Sequence, residues 1–446
     1  MKGILVLLDG IGDLPSRVLK GKTPLEAANT PNLDFLAARG EMGLMYPVRP
    51  GFIPESDQAV ISIFGNELID STRGQLEAKG TGLKLTRGDL ALRVNFATID
   101  SLKEGNILDR RAGRTLTTAE AEILAKAINK IKLPCEFVFK STVQHRAALV
   151  LRGGFSDNIS SNDSTYSEGK MREVNKISNF RALDDEENTQ YTVNILNEFL
   201  DKVFEVLDKH PINQQRRKKG LSPANFLLIR GAGIEPPKLK FYRKWISVAY
   251  MPLEMGFSEI SGMNVFSFDY PPLKGYDSYK NLREGLIKAC DFSIKVLKKN
   301  HKSADYAYIH LKETDLPGHD NKPIEKKLMI EHIDKTFFKF LKDFATSNKI
   351  KVVVTGDHST PCKLKAHSAD PVPILFYNDK PPKPKGGITS FFKNANQKIP
   401  FYPKKNPLKP ENSEEKREKF CEKNAKRGSL GKVLGKELFE KVGFLK

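Results

Sequence analysis

The chain has 446 residues, 39% of them hydrophobic and 28% charged, and its formal net charge is +19. This length predicts two or more domains, or one core with a large insertion. No apolar run reaches the roughly 18 residues that a membrane span needs, and the scattered cysteines fit reduced thiols, so we expect a cytoplasmic protein.

The excess of positive charge is typical of a Lys-rich solvated surface or of a protein that takes an anionic substrate. No zinc finger, helix-turn-helix or aromatic RNA-binding pattern accompanies this charge, which argues against a nucleic-acid partner. We therefore expect neither a nucleic acid nor a membrane as partner. The oligomeric state stays open at this point.

The first predicted strand covers residues 4–8 and ends at Asp9, where a glycine-containing loop begins. Two short helices are predicted next. Thr23 and Glu26 form the pattern of a capping box at the start of the first, and Thr30-Pro31 opens the second. An acidic side chain therefore directly follows a buried strand, at the edge of a sheet where sites form in α/β proteins.

A Pro/Gly-rich loop then leads to Ser56, which stands at the start of a predicted helix. A serine in this position is most often only a helix cap. The same position also suits a nucleophile, because a helix N-terminus stabilises an alkoxide and binds phosphate.

The pattern of strands and helices in residues 72–235 predicts an α+β unit. This unit is inserted into a core that consists of residues 1–71 and 236–446. Strands are expected at 91–99, 136–140, 146–151 and 226–230, and helices begin at Thr117 and near Thr192. This unit contains arginines whose planar guanidinium groups suit phosphate and carboxylate, although surface arginine is the simpler reading of each one. They are Arg110, Arg111, Arg114, Arg146 and Arg230.

Strands and helices alternate again after residue 236, which predicts a mostly parallel sheet sandwiched by helices. Strands are expected at 245–251, 305–311, 351–355 and 371–377, and helices at 277–299 and 323–344. Residues 379–427 are rich in Lys and Pro and predict a solvated segment.

Metal-ligand residue types follow two of these strands. Asp315 and His319 lie four residues apart after one strand, and Asp357-His358 directly follow another, with His367 nine residues beyond His358. Carboxylate and imidazole together suit a borderline divalent cation such as Mn or Zn.

Seven residues thus converge at strand ends or a helix start, enough for two cations that clamp a phosphoryl group. One cation would take Asp315, His319 and His367, and the other would take Asp9, Ser56, Asp357 and His358.

The order of these residues resembles the alkaline phosphatase superfamily, and more closely the archaeal type of cofactor-independent phosphoglycerate mutase. The matching segments are GILVLLDGIGD, KTPLEAANTPNLDFLAARG, ESDQAVISIFG, RVNFATID, DRRAGR, HRAALVLRG, NFLLIRGAG, KETDLPGHDNK, TGDHSTPCKLKAHSADPVPILFY and KRGSLGKVLG. Together they span nearly the whole chain.

The resemblance implies an alkaline-phosphatase-like fold and an isomerase that interconverts 2- and 3-phosphoglycerate through a phosphoserine at Ser56. It implies two divalent ions, with Mn favoured over Mg, Zn or Co. The five arginines would hold the carboxylate and phosphate, and Asp109 or His145 would move the hydroxyl proton.

The chain departs from the family pattern on the substrate side. Glu55 and Gln58 flank the nucleophile where a small residue and Thr are usual. A lysine expected after Trp245 is missing, and Lys240, Lys244 and Lys274 are the candidates to replace it; Lys274 is included in the predicted substrate site.

Two other functions remain as alternatives. A metal-dependent phosphatase or phosphodiesterase of the same superfamily would release free phosphate faster than it isomerises. A non-catalytic binder of phosphate or nucleic acid would fit the charge, but it would not depend on Ser56. The large insertion favours the mutase, because a mutase must exclude water while glycerate is held.

Overall fold

The structure is a computed structural model that describes residues 1–68, 73–163, 166–167, 170–171, 175–378 and 419–444. The expected boundary between residues 71 and 72 lies outside these residues, as does most of the Lys/Pro-rich segment at 379–427. Among the described helices, none is long and apolar enough to cross a membrane.

An eight-stranded sheet forms the core. Its strands are β1 (Gly3–Leu8), β2 (Gly40–Tyr46), β10 (Trp245–Val248), β11 (Asn264–Phe266), β12 (Tyr306–Leu311), β13 (Lys351–Thr355), β14 (Val372–Tyr377) and β15 (Gly431–Leu434), numbered along the whole chain. The order across the sheet is β11-β10-β12-β1-β13-β14-β2-β15. β14 runs antiparallel to both of its neighbours, and the other pairings are parallel.

The central strand β1 is buried on both faces, as its uninterrupted apolar sequence predicts. Ile4, Val6 and Leu8 pack into one apolar cluster, and Leu5 and Leu7 pack into a second cluster on the other face. Helices cover both clusters, so the predicted α/β class with a mostly parallel sheet is confirmed.

Fourteen α-helices are described in these residues. They are α1 (Pro24–Ala27), α2 (Pro31–Ala38), α3 (Ser56–Ile63), α4 (Arg73–Gly80), α5 (Thr118–Ile128), α6 (Glu187–Asp208), α7 (Pro211–Lys218), α8 (Pro252–Ile260), α9 (Ser278–Asn300), α10 (Asp315–His319), α11 (Pro323–Ile333), α12 (Lys339–Asn348), α13 (Glu422–Ala425) and α14 (Leu438–Val442). Thr23 caps α1 through its side chain, and Thr117 caps α5 in a full capping box with Glu120. Helix α6 begins five residues before the expected Thr192, and a π-helical turn at Asp334–Phe338 joins α11 to α12.

A second, antiparallel sheet lies between residues 90 and 233. Its strands are β3 (Leu90–Ile99), β4 (Ile107–Asp109), β5 (Phe137–Ser141), β6 (Arg146–Leu151) and β9 (Phe226–Gly233); β7 (Tyr166–Ser167) and β8 (Lys170–Met171) form a separate ribbon. One face of the sheet packs with α5 and α6 in an apolar cluster of its own. Its opposite face includes the small residues Ala91 and Ala148, which pack with Ala78 of α4.

Helix α4 joins the two sheets because it contacts β3 and β9 on one side and α8 of the core on the other. Glycines allow this close approach. A Cβ at Gly80 would lie 1.8 Å from the carbonyl oxygen of Pro252, and a Cβ at Gly256 would lie 1.9 Å from that of Leu76. The packing of α4 on α8 therefore requires the absence of side chains at both positions.

We expect Gly80→Ala to lower the free energy of unfolding by roughly 1–3 kcal/mol, because the methyl group pushes α4 away from the backbone of α8. Urea denaturation measures the change. Lys79→Ala, at a half-exposed position of the same helix, is the control and should stay within about 0.5 kcal/mol of wild type. Equal stability of the two variants would contradict the packing described above.

The segment after residue 418 returns to the core through Glu422, which accepts hydrogen bonds from Thr23 Oγ1 at 2.6 Å and from the backbone N–H of Asp13 at 3.2 Å. Burial raises the pKa of Glu422 from its ordinary 4.5 to about 7. The folded state therefore keeps a proton that the unfolded state releases between these two pH values.

Because the folded state holds this proton more tightly, the contribution of Glu422 to the free energy of unfolding falls as the pH rises from 4.5 to 7. It does not change further above pH 7. We expect Glu422→Gln to become progressively more stable than wild type across that window, by up to about 3 kcal/mol. Denaturation of both proteins at several pH values tests this, with Glu187→Gln on the surface as control. A difference that does not vary between pH 4.5 and 7 would exclude the mechanism.

Candidate metal centre and active site

The register of the central strands brings the predicted ligands to one edge of the sheet. Leu8 of β1 pairs with Leu311 of β12, and Leu7 pairs with Thr355 of β13, so the three strands end at nearly the same level. The loops that follow carry the ligand residues Asp9, Asp315, His319, Asp357 and His358. Their convergence follows directly from parallel pairing.

The first predicted ligand set is assembled around Asp315, the first residue of α10. Its Oδ2 lies 3.2 Å from His319 Nε2, one helical turn away, and its Oδ1 lies 3.9 Å from His367 Nε2. The other ring nitrogen of His367, Nδ1, lies 2.9 Å from the carbonyl oxygen of Pro54, and this contact fixes the orientation of the ring. All three residues predicted for this set are therefore together.

The second predicted set is assembled around His358. Its Nε2 lies 3.3 Å from Asp9 Oδ1, 3.3 Å from Asp357 Oδ2 and 3.2 Å from Ser56 Oγ. The His358 ring also stacks on His367, with 3.7 Å between ring centroids, which brings the two sets side by side. Ser56 is the first residue of α3 while Glu55 takes the N-cap position, so Ser56 is not the cap.

These atoms fit divalent cations on two independent grounds. Two atoms that share one cation at about 2.1 Å, with angles of 90–120°, lie about 3.0–3.6 Å from each other, which is close to the spacings found here. In addition, Asp9 Oδ1 and Asp357 Oδ2 are buried and have no hydrogen-bond partner among the described residues. A buried carboxylate oxygen without a partner is costly, and a cation would satisfy it.

Thr360 determines which nitrogen of His358 faces the ligand set. Its hydroxyl lies 2.7 Å from Asp315 Oδ1 and 3.0 Å from His358 Nδ1. An ionised carboxylate can only accept, so Thr360 donates to Asp315 and accepts from His358 Nδ1–H. Nε2 of His358 therefore presents its lone pair to Ser56, Asp9 and Asp357. The single hydroxyl of Thr360 thus orients a ligand of each set.

The loops themselves are joined by Lys326, whose fully buried ammonium group donates to Gly12 O at 3.3 Å, Asp13 Oδ2 at 2.8 Å and Thr360 O at 3.0 Å. Asp357 Oδ1 accepts from the backbone N–H groups of Gly10 and His358, both at 3.0 Å. Only Oδ2 of Asp357 is left to face the other ligands.

Burial controls the protonation of the imidazoles. It lowers the pKa of His358, against the opposing effect of Asp357 and Asp315, and it holds the pKa of His367 well below its usual value. Burial alone would raise the pKa of Asp315, but the imidazoles around it, His319 foremost, hold it well below its usual range. Burial thus favours the neutral form of His358 and His367, and the surroundings of Asp315 favour its carboxylate, the protonation states that bind metal.

A lysine that the sequence reading did not assign lies beside Asp9. Lys312 directly follows β12, and its ammonium group contacts Asp9 Oδ2 and lies 2.7 Å from Glu254 Oε1. Lys240, Lys244 and Lys274, the candidates for the missing lysine, are all exposed, and no contact between them and the ligand sets is described. The position of Lys312 immediately after a buried strand was the signal that could have identified it.

His310 was also missed. It lies in β12 with its ring buried, its Nδ1 is 2.9 Å from the hydroxyl of Tyr308, and its Nε2 is 3.6 Å from Asp357 Oδ2. A histidine within a strand usually belongs to the core, so the sequence offered no reason to single it out.

Some of the predicted arginines reach from the inserted sheet toward the ligand loops. Arg114 pairs with Asp320, the residue after His319, and Arg146 Nη1 lies 3.9 Å from Met251 Sδ in the core. Arg110 pairs with Asp163 inside the inserted unit. Two of these guanidinium groups therefore already contact the core.

Arg230 reaches the N-terminus of α3, where its Nη1 lies 2.6 Å from Glu55 Oε1. Arg73 holds the other oxygen of Glu55 at 3.0 Å and Asp57 Oδ1 at 3.1 Å. Arg93, which the sequence reading did not select, pairs across the strands with Arg230 and so lies on the same face of the inserted sheet. Ser56 is thus flanked by acidic residues that arginines hold in place.

The two candidates for proton transfer have different surroundings. His145 is buried, and burial together with the neighbouring Arg146 and Arg111 keeps its pKa well below its usual value. A neutral imidazole of this kind can accept a proton at pH 7. Asp109 ends β4, and its Oδ1 accepts the backbone N–H of Arg111 at 2.7 Å.

Comparison with known proteins identifies the family. Residues 37–213 match the family model of 2,3-bisphosphoglycerate-independent phosphoglycerate mutase, and residues 274–433 match that of the metalloenzyme superfamily. A 2,3-bisphosphoglycerate-independent phosphoglycerate mutase from Pyrococcus furiosus is 39% identical to this chain. The match covers 98% of this chain and 95% of the relative. The chain belongs to the 2,3-bisphosphoglycerate-independent phosphoglycerate mutases. One from Thermococcus kodakarensis is 38% identical with the same coverage.

Solved structures agree with this assignment to the phosphoglycerate mutases. A protein from Pyrococcus horikoshii matches with a TM-score of 0.69 and 30% identity, over 100% of this chain and 98% of its own. A cofactor-independent phosphoglycerate mutase from Thermoplasma acidophilum matches with a TM-score of 0.53 and 29% identity, over 100% of this chain and 99% of its own. The family expected from the sequence motifs is therefore confirmed.

Because Thr360 orients ligands of both sets, we expect Thr360→Val to lower the affinity for Mn²⁺ by about 10–100-fold while the fold is kept. Isothermal titration with MnCl₂ measures the affinity, and circular dichroism checks the fold. Thr346→Val, on the exposed end of α12, is the control. Unchanged Mn²⁺ affinity in a folded Thr360→Val protein would refute the orienting role.

Proposed function

We propose that this chain interconverts 2-phosphoglycerate and 3-phosphoglycerate by passing the phosphoryl group through Ser56. The observation that carries the proposal is the position of Ser56 Oγ, 3.2 Å from His358 Nε2, whose ring stacks on His367 of the other set. In this scheme Ser56 attacks the phosphorus of the incoming substrate and later returns the group to the other hydroxyl of the bound glycerate.

The chain prepares Ser56 for attack in two ways. The hydroxyl lies at the N-terminus of α3, where backbone N–H groups and the helix dipole favour negative charge on oxygen and phosphate. Two divalent cations, held by Asp315, His319 and His367 and by Asp9, Ser56, Asp357 and His358, would lower the serine pKa and neutralise charge during in-line transfer. Mn²⁺ is our choice of cation for this mixed oxygen and nitrogen set.

Residues 72–235 serve in this proposal as the substrate-holding unit, inserted between core segments 1–71 and 236–446. Arg110, Arg111, Arg114, Arg146 and Arg230 would hold the carboxylate and phosphate of the substrate. The contacts of Arg114 with Asp320 and of Arg230 with Glu55 support this, because they bring guanidinium groups to both sides of the ligand sets. Closure over the core retains glycerate and excludes water, which separates a mutase from a phosphatase.

A proton must leave the glycerate hydroxyl that receives the phosphoryl group. We assign this step to His145 or Asp109. The neutral imidazole of His145 has a nitrogen that can accept the proton, and the negative charge of a bound substrate would offset the arginines that lower its pKa. Lys274, the remaining residue that the sequence proposed for substrate binding, lies in an exposed loop before α9, and Lys312 takes its place beside the ligands.

The proposed setting is cytoplasmic glycolysis and gluconeogenesis, where both phosphoglycerates occur, with the small-molecule substrate as the partner. Neither nucleic acid nor a membrane enters the proposal. The alternative is a metal-dependent phosphatase or phosphodiesterase, and the product of the reaction distinguishes the two.

We expect Ser56→Ala to lose at least about 10⁴-fold in turnover, because the nucleophile is removed while the carboxylate and imidazole ligands stay in place. The assay follows conversion of 3-phosphoglycerate with Mn²⁺ and without 2,3-bisphosphoglycerate. Ser62→Ala, one buried serine further along α3, is the matched control and should stay active. Free phosphate released faster than 2-phosphoglycerate by wild type would favour the phosphatase, and full activity of Ser56→Ala would exclude the phosphoserine route.

A further inference from the structure

His310 differs from the other buried histidines because its Nε2 atom faces the carboxylate of Asp357 without a hydrogen bond. The alternation of β12 places Tyr308 and His310 on one face of the sheet, near the strand end that leads to Asp315. His310 is 1% exposed, and its Nε2 has no hydrogen-bond partner among the described residues. A buried imidazole nitrogen of this kind needs an explanation.

The same absence of a partner is found in the two nearest carboxylates. Asp9 Oδ1 and Asp357 Oδ2 also have no partner within the described part of the chain. Ligand atoms of Asp9, His310 and Asp357 all lie within 4.8 Å of one another, and all three residues are buried. Three unsatisfied polar atoms that meet at one point indicate a missing common partner.

The charges around this point define that partner. Asp9, Asp357 and Glu254 are buried carboxylates, and among the side chains that contact them in the described structure Lys312 supplies the ammonium group. One ammonium group against three carboxylates leaves an excess of negative charge at this point. One divalent cation balances this charge, whereas a water molecule would not.

The distances fit a shared cation better than a direct hydrogen bond. His310 Nε2 and Asp357 Oδ2 are 3.6 Å apart, beyond the normal range of 2.7–3.2 Å for an N–H···O hydrogen bond. Two atoms bound to one cation at about 2.1 Å with an angle near 120° are about 3.6 Å apart. On the other side of the ring, Tyr308 Oη lies 2.9 Å from Nδ1 and can accept its proton, which leaves Nε2 free as a ligand.

We propose that His310 is an additional ligand of the cation held by Asp9, Asp357, His358 and Ser56. This inference rests on the two-cation centre of the proposed function and extends it by one residue. The site then contains two imidazoles, as does the set of Asp315, His319 and His367.

The second imidazole has a consequence for the choice of metal. Imidazole favours Zn²⁺ and other transition metals, whereas sites built from carboxylate, hydroxyl and water oxygens suit Mg²⁺. A site with His310 therefore discriminates against Mg²⁺ more strongly than the same site without it. His310 acts here as a residue that sets metal specificity as well as affinity.

Binding of Zn²⁺, Mn²⁺ and Mg²⁺ to the full chain, by isothermal titration of wild type and His310→Gln, tests the proposal without any assay of turnover. We expect His310→Gln to lose at least about tenfold in Zn²⁺ and Mn²⁺ affinity at one of the two sites, and much less in Mg²⁺ affinity. His332→Gln is the matched control, because His332 Nε2 also lacks a partner but lies on α11, away from this group.

A crystal structure of the Mn²⁺-loaded wild type gives the second readout, which does not depend on how the variant folds. An anomalous peak within 2.5 Å of His310 Nε2 supports the proposal, and a peak more than 3 Å away overturns it. Equal losses for all three metals in His310→Gln indicate a merely structural role and also overturn it.

The result also separates this inference from the proposed function. Two Mn²⁺ ions bound without contact to His310 would leave the mutase proposal standing and remove only the additional ligand. No Mn²⁺ bound by wild type would overturn both.

Discussion

The site depends on one electrostatic constraint, which is that buried carboxylates must be neutralised. Three parallel strands end at the same level, so Asp9, Asp357 and the start of α10 are delivered to one small volume that excludes water. The ammonium group of Lys312 does not balance this charge. Divalent cations do, and the affinity for them is thus a consequence of sheet register together with burial.

Around this charged centre the chain holds the loops with few but well-placed hydrogen bonds. Lys326 joins the loop after β1 to the loop after β13, and Thr360 joins Asp315 to His358. Lys326 is 314 positions from Gly12 and 34 from Thr360, and Thr360 is 45 positions from Asp315. The ligand geometry is therefore defined by contacts between the ligand loops and by Lys326 of α11, and it does not depend on any single loop adopting its shape alone.

Much of this arrangement was predictable from local sequence. A buried apolar run that ends in Asp or Asp-His specifies both a strand and the chemistry at its end, so all seven expected ligands are together. The arginines came from family motifs, since no periodicity distinguishes Arg230 from a surface arginine. His310 could not be found, because inside a strand a ligand and a core histidine look alike until the neighbouring strand is known.

Other differences have equally specific causes. The polar first turn of α6, from Glu187, carries no apolar period, so the helix was expected to begin later. β14 was grouped with the parallel strands, yet the residues between 355 and 372 contain no helix. A parallel return requires a crossover of a dozen or more residues, usually helical, and its absence was a usable sign of antiparallel pairing.

The departure at Glu55 connects the catalytic side chain to the inserted unit. Where the family pattern has a small residue, Glu55 places a carboxylate next to Ser56, and Arg230 and Arg73 each take one of its oxygens. On the other side of the ligand sets, Arg114 pairs with Asp320 beside His319. An anionic substrate entering between these pairs meets guanidinium groups that already hold carboxylates. If these arginines bind the substrate as proposed, the same side chains would serve both substrate binding and contact between the two units, and occupancy of the site would be coupled to the position of the inserted unit.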